Sequence, residues 1–357
     1  MNARVESVRA LMDERGLDAL LIKGKTLKRY LGTVTGSGCK VLITRAGGYL
    51  IMDGRYVNEA ADIEHDLEFR VHEQGVSYLG ELAILIGECD IHRLGAEASQ
   101  VLVSEYQKLC DLDVEPVLLD GELARMRIIK DEYEIAAVQH AVDVADDVYA
   151  KVLEHLHIGM TEYEISALVH YYSIAAGAEA MSFDTIVATG ERSALPHGRP
   201  TMRTVNEGEP ILIDFGVQIN GYQSDMTRVC FIGQPSSQMV KAYDTVLAAH
   251  LAGIEAIREG VVARDVDAAA RKVIADAGYG AYFTHGLGHG IGMGGDLPLL
   301  NTSGDIVLRN GMIMSCEPGV YLPGVGGVRI EDDVLLRDGV AVPLNHTPKQ
   351  LRILEVR

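Results

Sequence analysis

Two acidic residues stand in apolar, β-branched stretches on either side of an Asn220-Gly221 pair. Asn-Gly between two apolar runs predicts a β-hairpin with a two-residue turn. In the register that this turn imposes, Thr227 faces Asp214, and Asp225 faces Gly216. Asp214 and Asp225 then share one face of the hairpin, about 7–8 Å apart at their Cα atoms. Because an unpaired buried carboxylate is costly, the pattern predicts a cation bound beside them.

A similar arrangement returns about one hundred residues later in the chain. Glycines that are predicted to end helices recur 101 residues apart, as Gly159 with Gly260 and Gly177 with Gly278. At a separation of 103 residues, Asp214-Phe215-Gly216-Val217 matches Glu317-Pro318-Gly319-Val320. Glu331 lies in the strand that is predicted to return from the second hairpin, as Asp225 does in the first. We therefore interpret this region as a duplicated unit of two helices followed by a hairpin.

Duplication turns two carboxylates into four that can face one centre: Asp214, Asp225, Glu317 and Glu331. Four like charges at one place would raise each other's pKa and destabilise the fold. Two divalent cations would neutralise them, and oxygen-rich ligands favour Mn²⁺, with Co²⁺, Fe²⁺ and Zn²⁺ as alternatives. The competing interpretation is that the acids lie on solvated strand faces. It is the weaker interpretation, because all four acids occupy similar places in apolar strands.

Three histidines are candidates to complete the site. His285 and His289 lie in a segment with four glycines in eight residues, where the backbone must pass close to another group. An imidazole from this segment is a candidate fifth ligand, and spacing alone does not choose between the two. His197 follows Pro196 in a predicted turn before the first acidic strand.

The elements that must position these residues begin near Lys130. Apolar residues at separations of three and four from Ile135 to Leu156 predict a buried helix. Thr161 with Glu164 predicts the capping box of a second helix. Before residue 122, short strand patterns alternate with helical ones, which is typical of a small α/β domain. We therefore predict two domains, residues 1–122 and 123–357.

The bulk composition excludes several functional classes. A formal net charge of −19 argues against a nucleic-acid partner, whose phosphates require a basic surface. No run of 18 apolar residues predicts a membrane span, and residues 1–15 do not resemble a signal peptide. Five scattered cysteines, an odd number, are typical of reduced thiols, and we expect a cytoplasmic protein.

Five motifs of the second domain, in this order along the chain, resemble those of the pita-bread metallopeptidase family, which includes prolidase, aminopeptidase P, methionine aminopeptidase and creatinase. They are Pro196-His197-Gly198, Ile213-Asp214-Phe215-Gly216, Ser224-Asp225-Met226-Thr227-Arg228, Gly288-His289-Gly290-Ile291-Gly292, and Glu317-Pro318-Gly319 followed by Arg329-Ile330-Glu331-Asp332. The resemblance covers residues 130–344. The first domain, with Asp53-Gly54-Arg55-Tyr56 after a strand, resembles that of the creatinase, prolidase and aminopeptidase P branch.

This resemblance implies an α/β N-terminal domain of the creatinase/prolidase type and an α+β pita-bread C-terminal domain with an internal pseudo-twofold duplication. It implies two divalent metal ions that activate water. The implied ligands are Asp214, Asp225, His289, Glu317 and Glu331. A small peptide substrate and a homodimer are implied by the same branch.

Further roles come with the resemblance. Glu317 would pass on a proton, and His197 would hydrogen-bond the substrate or help to stabilise the tetrahedral intermediate. His285 and Arg329 would support the acids or contact the substrate.

One position departs from the family pattern. In prolidases and aminopeptidases P a substrate-contacting histidine lies seven residues after the metal histidine, and here Asp296 falls at that place. Asp296 could attract a cationic group of the substrate, or it could lie in a solvated loop; the sequence leaves both interpretations open.

Three hypotheses follow. The first is a dinuclear-metal peptidase that cleaves the bond before proline, as an Xaa-Pro aminopeptidase or an Xaa-Pro dipeptidase. The second is a creatinase-like hydrolase or lyase that acts on a small non-peptide substrate, for which the missing histidine is the clue. The third is a non-catalytic binding protein on the same fold, which has no need of four buried carboxylates.

Overall fold

The structure is a computed structural model that describes residues 3–63 and 65–356. The chain forms two compact units, Met1–Met126 and Arg127–Arg357. The sequence prediction divided the chain after residue 122, at the start of the short helix Glu122–Arg125. Among the described residues, no helix has both the length and the apolar character that crossing a membrane would require.

The first unit is built on a six-stranded mixed sheet. Its elements are α1 (Ala3–Arg15), β1 (Ala19–Ile22), α2 (Lys25–Tyr30), β2 (Lys40–Thr44), β3 (Gly48–Asp53), α3 (Val57–Ala61), β4 (Glu68–His72), α4 (Leu79–Glu88), β5 (Arg93–Glu97), α5 (Val103–Cys110), β6 (Glu115–Leu119) and α6 (Glu122–Arg125). The strand order is β4-β3-β2-β1-β5-β6. Buried residues of β1 and β5 pack with the apolar face of α4, which includes Leu82 and Leu85. The α/β architecture expected for this part of the chain is confirmed.

The second unit contains two successive sets of paired helices and strands. The first set comprises α7 (Glu132–His155), α8 (Glu162–Ala175), β7 (Ala180–Met181), β8 (Ile186–Thr189), β9 (Pro210–Phe215), β10 (Val217–Ile219), β11 (Tyr222–Gln223) and β12 (Met226–Ile232). The second comprises α9 (Ser237–Ala256), α10 (Ala263–Asp276), β13 (Gly288–Gly290), β14 (Asp296–Leu300), β15 (Ile313–Cys316), β16 (Gly319–Leu322), β17 (Gly326–Arg329), β18 (Asp332–Arg337), β19 (Val340–Pro343) and β20 (Arg352–Leu354).

The strands of this unit form separate sheets whose inner faces are apolar. Their orders are β11-β10-β7, β20-β12-β9-β8, β14-β13-β15-β18-β19 and β16-β17. Helices α7 and α8 pack against the first set of strands, and α9 and α10 contribute to the core of the second. The sheets thus carry the acidic residues on strands whose other positions are buried in apolar surroundings.

The first hairpin has the predicted register. Ile219 pairs with Tyr222, and Asp214 pairs with Thr227. Asn220 and Gly221 have φ angles of 50° and 81°, as a type I′ turn requires. A Cβ at Gly216 would lie 1.7 Å from the carbonyl oxygen of Ser224, so the strands approach too closely there for any side chain.

The second hairpin matches the first only in its outgoing strand. Cys316 pairs with Asp332, and Gly319 pairs with Arg329, so the register between these pairs places Glu331 opposite Glu317. In the first hairpin the residue opposite the equivalent Asp214 is Thr227. Glu331 therefore corresponds to Thr227 and not to Asp225. The prediction that the acids of the two return strands occupy equivalent positions is wrong.

Both predicted helix starts and two of the four predicted helix-ending glycines agree with the structure. Capping boxes form at Asp131 with Glu134 and at Thr161 with Glu164. Gly177 and Gly278, with φ of 96° and 86°, directly follow the last turns of α8 and α10. Gly159 and Gly260 do not end helices α7 and α9, because Leu156 and Ile257 already have extended backbone. They lie beyond the helices, where their amides donate to the carbonyls of Val205 and Leu308, each at 2.9 Å.

Candidate metal centre

All nine candidate residues of the sequence analysis line one cleft of about 1050 Å³ in the second unit. They are Asp214, Asp225, His289, Glu317, Glu331, His197, His285, Arg329 and Asp296. Strand β9 supplies Asp214, strand β13 supplies His289, and the other three acids lie immediately before or after strands. The register of the first hairpin accounts for two of the nine, because it places Asp214 and Asp225 on one face.

Three side chains come together as metal ligands do. One ligand atom each from Asp225, His289 and Glu331 lies within 4.8 Å of the other two. His289 Nε2 is 3.5 Å from Asp225 Oδ2 and 3.6 Å from Glu317 Oε1. Of the two histidines that spacing left open, His289 is the one that faces the acids.

Two further carboxylate oxygens are available at this centre. Asp214 Oδ2 accepts a hydrogen bond from Arg329 Nη2, and Glu331 Oε2 accepts one from Thr227 Oγ1 at 2.5 Å. Asp214 Oδ1 and Glu331 Oε1 are buried and have no hydrogen-bond partner within the described residues. A buried, unsatisfied carboxylate oxygen needs a partner. The donor set therefore fits divalent cations that take oxygen and imidazole ligands.

Burial of this cluster disfavours its charges. It raises the pKa of Asp214 to about 7, although Arg329 opposes the shift. Burial also raises the pKa of Glu317 to about 7 against the opposing effect of His289, and it raises the pKa of Glu331 well above its ordinary value. Burial alone would lower the pKa of His289, but Asp225 and Glu317 raise it to about 10. The cluster thus holds protons that a divalent cation would displace.

The interpretation of the acids as solvated strand residues is wrong. Asp214, Asp225 and Glu331 are at most 8% exposed. Glu317 is partly buried, and its Oε1 accepts a hydrogen bond from Ser315 Oγ at 3.1 Å. The same hydroxyl accepts from the backbone amide of His289 at 3.0 Å, so Ser315 links two of the candidate ligands.

His285 lies behind the acids with both ring nitrogens engaged. Nδ1 lies 2.8 Å from the carbonyl oxygen of Gly286, and Nε2 lies 2.8 Å from Tyr321 Oη. Tyr321 Oη accepts from Arg329 Nη1 at 2.7 Å, so its own proton is directed to His285 Nε2. Burial lowers the pKa of His285 to about 4, which agrees with a neutral ring.

Tyr321, Thr227 and Ser315 contact candidate site residues, and the sequence analysis gave them no role. Tyr321 lies two residues after Gly319 in strand β16, so strand alternation places the two on the same face. This alternation is the sequence signal that could have identified Tyr321. Thr227 was part of a recognised motif, but its role depends on the contact between two hairpins, which no local pattern shows.

Of the two interpretations that the sequence left open for Asp296, the structure excludes the solvated loop. This residue is 4% exposed and begins strand β14. Its Oδ1 lies 3.1 Å from Arg127 Nη1 and 3.8 Å from Lys130 Nζ, so the acid already has internal cations as partners. A Cβ at Gly292 would lie 2.9 Å from this carboxyl group, so the glycine leaves room for it.

His197 stands in the cleft in an exposed position. The carbonyl of the preceding Pro196 accepts a hydrogen bond from Arg329 Nη1 at 3.2 Å. The loop is therefore tied to the same arginine that binds Asp214.

Comparisons with known proteins agree with this arrangement. The family model of the creatinase/prolidase N-terminal domain matches residues 4–129, and that of metallopeptidase family M24 matches residues 136–338. Among curated proteins, the chain is 34% identical to the Xaa-Pro dipeptidase of Pyrococcus horikoshii, over 98% of this chain and 99% of that protein. It is also 34% identical to an uncharacterized peptidase of Bacillus subtilis, over 98% of this chain and 100% of that protein.

Solved structures give the same result. An Xaa-Pro dipeptidase from Bacillus anthracis superposes with a TM-score of 0.95 at 36% identity, covering 99% of both chains. An X-Pro aminopeptidase from Thermotoga maritima has a TM-score of 0.89 at 34% identity, covering 96% of this chain and 99% of that one. The expected creatinase-type N-terminal domain and pita-bread C-terminal domain are confirmed, as is the expectation of a metallopeptidase. The chain belongs to metallopeptidase family M24, in its prolidase and aminopeptidase P branch.

Proposed function

We propose that this metallopeptidase hydrolyses the peptide bond before proline in small peptides, as an Xaa-Pro dipeptidase or an Xaa-Pro aminopeptidase. The observation that carries the proposal is the convergence of Asp225, His289 and Glu331 within 4.8 Å. The buried free oxygens of Asp214 and Glu331 add to it. The substrate class comes from relatives that are named Xaa-Pro dipeptidase and X-Pro aminopeptidase.

Five side chains would hold two divalent ions: Asp214, Asp225, His289, Glu317 and Glu331. When bound, such ions supply a water of lowered pKa and polarise a carbonyl group. Because three of the four acids are buried and Glu317 is partly buried, with only partial compensation inside the protein, we expect the ions to be needed for full stability as well as for activity.

The chain's own residues complete the chemistry. Glu317 would take a proton from the attacking water at its carboxylate and deliver it to the leaving amine. His197, exposed in the cleft, would donate a hydrogen bond to the substrate carbonyl as negative charge develops on its oxygen.

Arg329 acts on the acids rather than on the substrate in this proposal. It donates to Asp214 and to Tyr321, and Tyr321 in turn contacts His285. Since both nitrogens of His285 are used in these contacts, we propose that His285 orients Tyr321 and does not bind the substrate directly.

A creatinase-like reaction on a small non-peptide substrate is the alternative that one observation favours. Asp296 occupies the place of the family's substrate-contacting histidine, and its charge is directed to Arg127. That wall of the cleft therefore offers no imidazole to a substrate carbonyl.

The proposal is tested with purified protein, stripped of metal and then supplied separately with Mn²⁺, Co²⁺, Zn²⁺ or Fe²⁺. Xaa-Pro dipeptides, Xaa-Pro-Xaa tripeptides and a panel of small amidines are assayed in parallel. Turnover of dipeptides alone identifies a dipeptidase, and release of the first residue from tripeptides identifies an aminopeptidase. Turnover of an amidine with none of any proline peptide would replace the proposal by the alternative.

Mn²⁺ as the native metal, a homodimer and a cytoplasmic location are further parts of the proposal. Metal analysis of protein purified without added metal tests the first. Sedimentation equilibrium tests the second, and cell fractionation tests the third.

A further inference from the structure

The two ends of the loop that carries His197 are hydrogen-bonded to the same buried carboxylate group. Residues 190–200 connect β8 to the segment that leads to β9, and Thr189 and Thr201 flank them. Both threonines bind to Glu162, the first residue of α8, which is fully buried. We propose that Glu162 is a positioning residue for His197. The inference rests on the proposed role of His197 in the cleft.

The hydrogen bonds of Glu162 divide evenly between the two ends of the loop. Its Oε1 accepts from the backbone amide of Thr189 at 2.8 Å and from the hydroxyl of the same residue at 3.2 Å. Its Oε2 accepts from the backbone amide of Thr201 at 2.9 Å and from that hydroxyl at 2.6 Å. One carboxylate group therefore fixes the distance between the two ends of the loop.

Arg192 extends this anchor into the loop itself. Its Nε lies 3.2 Å from Glu162 Oε2 and compensates the buried charge. Its Nη2 donates to the carbonyl oxygen of Arg199 at 2.7 Å, two residues after His197. On the other side of His197, the carbonyl of Pro196 accepts from Arg329. The histidine is thus held between two arginines, one anchored at Glu162 and the other at the acid cluster.

The internal duplication shows that the fold itself does not require an acid at this place. Helix α10 is the second copy of α8, and its first residue is Ala263. In both copies the residue before the helix forms an isolated β-bridge, Thr161 with Thr204 and Val262 with Val307, and the third residue of the helix is an acid, Glu164 or Asp265. The first copy differs from the second in having the loop that carries His197. We therefore associate Glu162 with this loop and not with the general fold of the repeated unit.

A Glu162→Gln substitution tests the anchor without changing side-chain size. An amide offers one acceptor oxygen and an NH₂ group that cannot accept, so one end of the loop loses its partner. Glu164→Gln is the matched control, since it weakens the capping box in the same first turn of α8, and within the described part of the chain the side chain of Glu164 hydrogen-bonds to Thr161 and not to the loop. Hydrogen exchange of the amides of residues 189–201, measured by mass spectrometry, reports on the loop whether or not the enzyme is active.

We expect at least about tenfold faster exchange in this segment for Glu162→Gln and no change for Glu164→Gln, while the metal content of both variants stays that of the parent. We expect Glu162→Gln to lower kcat/KM about 10- to 100-fold. In a His197→Ala background the same substitution is expected to cost less than about twofold, because its effect acts through the histidine.

The outcomes separate the two proposals. Unchanged exchange, or equal effects on kcat/KM with and without His197, would overturn the positioning role of Glu162. If the parent protein cleaves no proline peptide, the proposed function fails, while the exchange measurement still decides whether Glu162 holds the loop.

Discussion

The hydroxyl of Thr227 donates a hydrogen bond to Glu331 Oε2 at 2.5 Å, and these two residues occupy equivalent places in the two hairpins. The backbone amide of Glu331 also donates to the carbonyl of Thr227 at 3.1 Å. Thr227 Oγ1 in turn accepts from Arg329 Nε at 3.0 Å. The two hairpins therefore meet through these residues, and Thr227 fixes which oxygen of Glu331 is left for a cation.

Replacing Thr227 by valine should weaken metal binding without removing a ligand. The variant keeps the side-chain shape but leaves Glu331 Oε2 and Arg329 Nε without this partner, and we expect about a 10- to 100-fold lower affinity for Mn²⁺. Titration calorimetry on the metal-free protein measures it. Thr245→Val is the control, since that hydroxyl donates to the carbonyl of Lys241 within helix α9 and has no other hydrogen bond among residues 3–63 and 65–356. Equal affinities for the parent and Thr227→Val would show that this contact does not orient Glu331.

Replacing a proposed ligand should abolish activity and lower metal content while the fold survives. We expect this of Asp225→Asn and Glu331→Gln, because each removes a charged oxygen from the centre of the cluster. Elemental analysis, circular dichroism and peptide assays are the measurements. Asp184→Asn, at an exposed acid on the same cleft, should retain the parent metal content. Normal metal occupancy in the first two variants would mean that the ligands are assigned wrongly.

The metal-free protein should become less stable as pH rises from 5 to 8. The pKa values of Asp214 and Glu317 are raised to about 7 in the folded chain, above the ordinary values of 3.8 and 4.5. Their stabilising contribution is complete below the unfolded values and is lost as pH passes through about 7. Thermal unfolding of the metal-free protein should therefore show a falling Tm over this range. Saturating Mn²⁺ should reverse the fall at pH 8, and a Tm that rises with pH without metal would contradict the prediction.

Asp296→Asn should destabilise the protein strongly, because it leaves Arg127 and Lys130 buried without their acid. We expect a loss of about 3 kcal/mol in the free energy of unfolding, as for other buried pairs broken on one side. Asp184→Asn breaks an exposed pair with Arg199 on the same cleft and should cost at most about 1 kcal/mol. Denaturant unfolding of both variants makes the comparison, and equal losses would show that burial of the Asp296 pair is unimportant.

The sequence alone determined the parts of the site that depend on local rules. Asn220-Gly221 fixed the turn of the first hairpin, and the period of two along its strands placed Asp214 and Asp225 on one face. The acids, glycines and histidines at their spacings were sufficient to indicate a metal centre and its family.

Contacts between segments that are distant along the chain become visible only in the folded protein. The register of the second hairpin made Thr227, and not Asp225, the counterpart of Glu331. Asp296 reaches Arg127 and Lys130, which lie more than 160 residues earlier, and Glu162 reaches both ends of the His197 loop. Local patterns fix the backbone and the face of each side chain, whereas a buried charge finds its partner only when separate elements pack together.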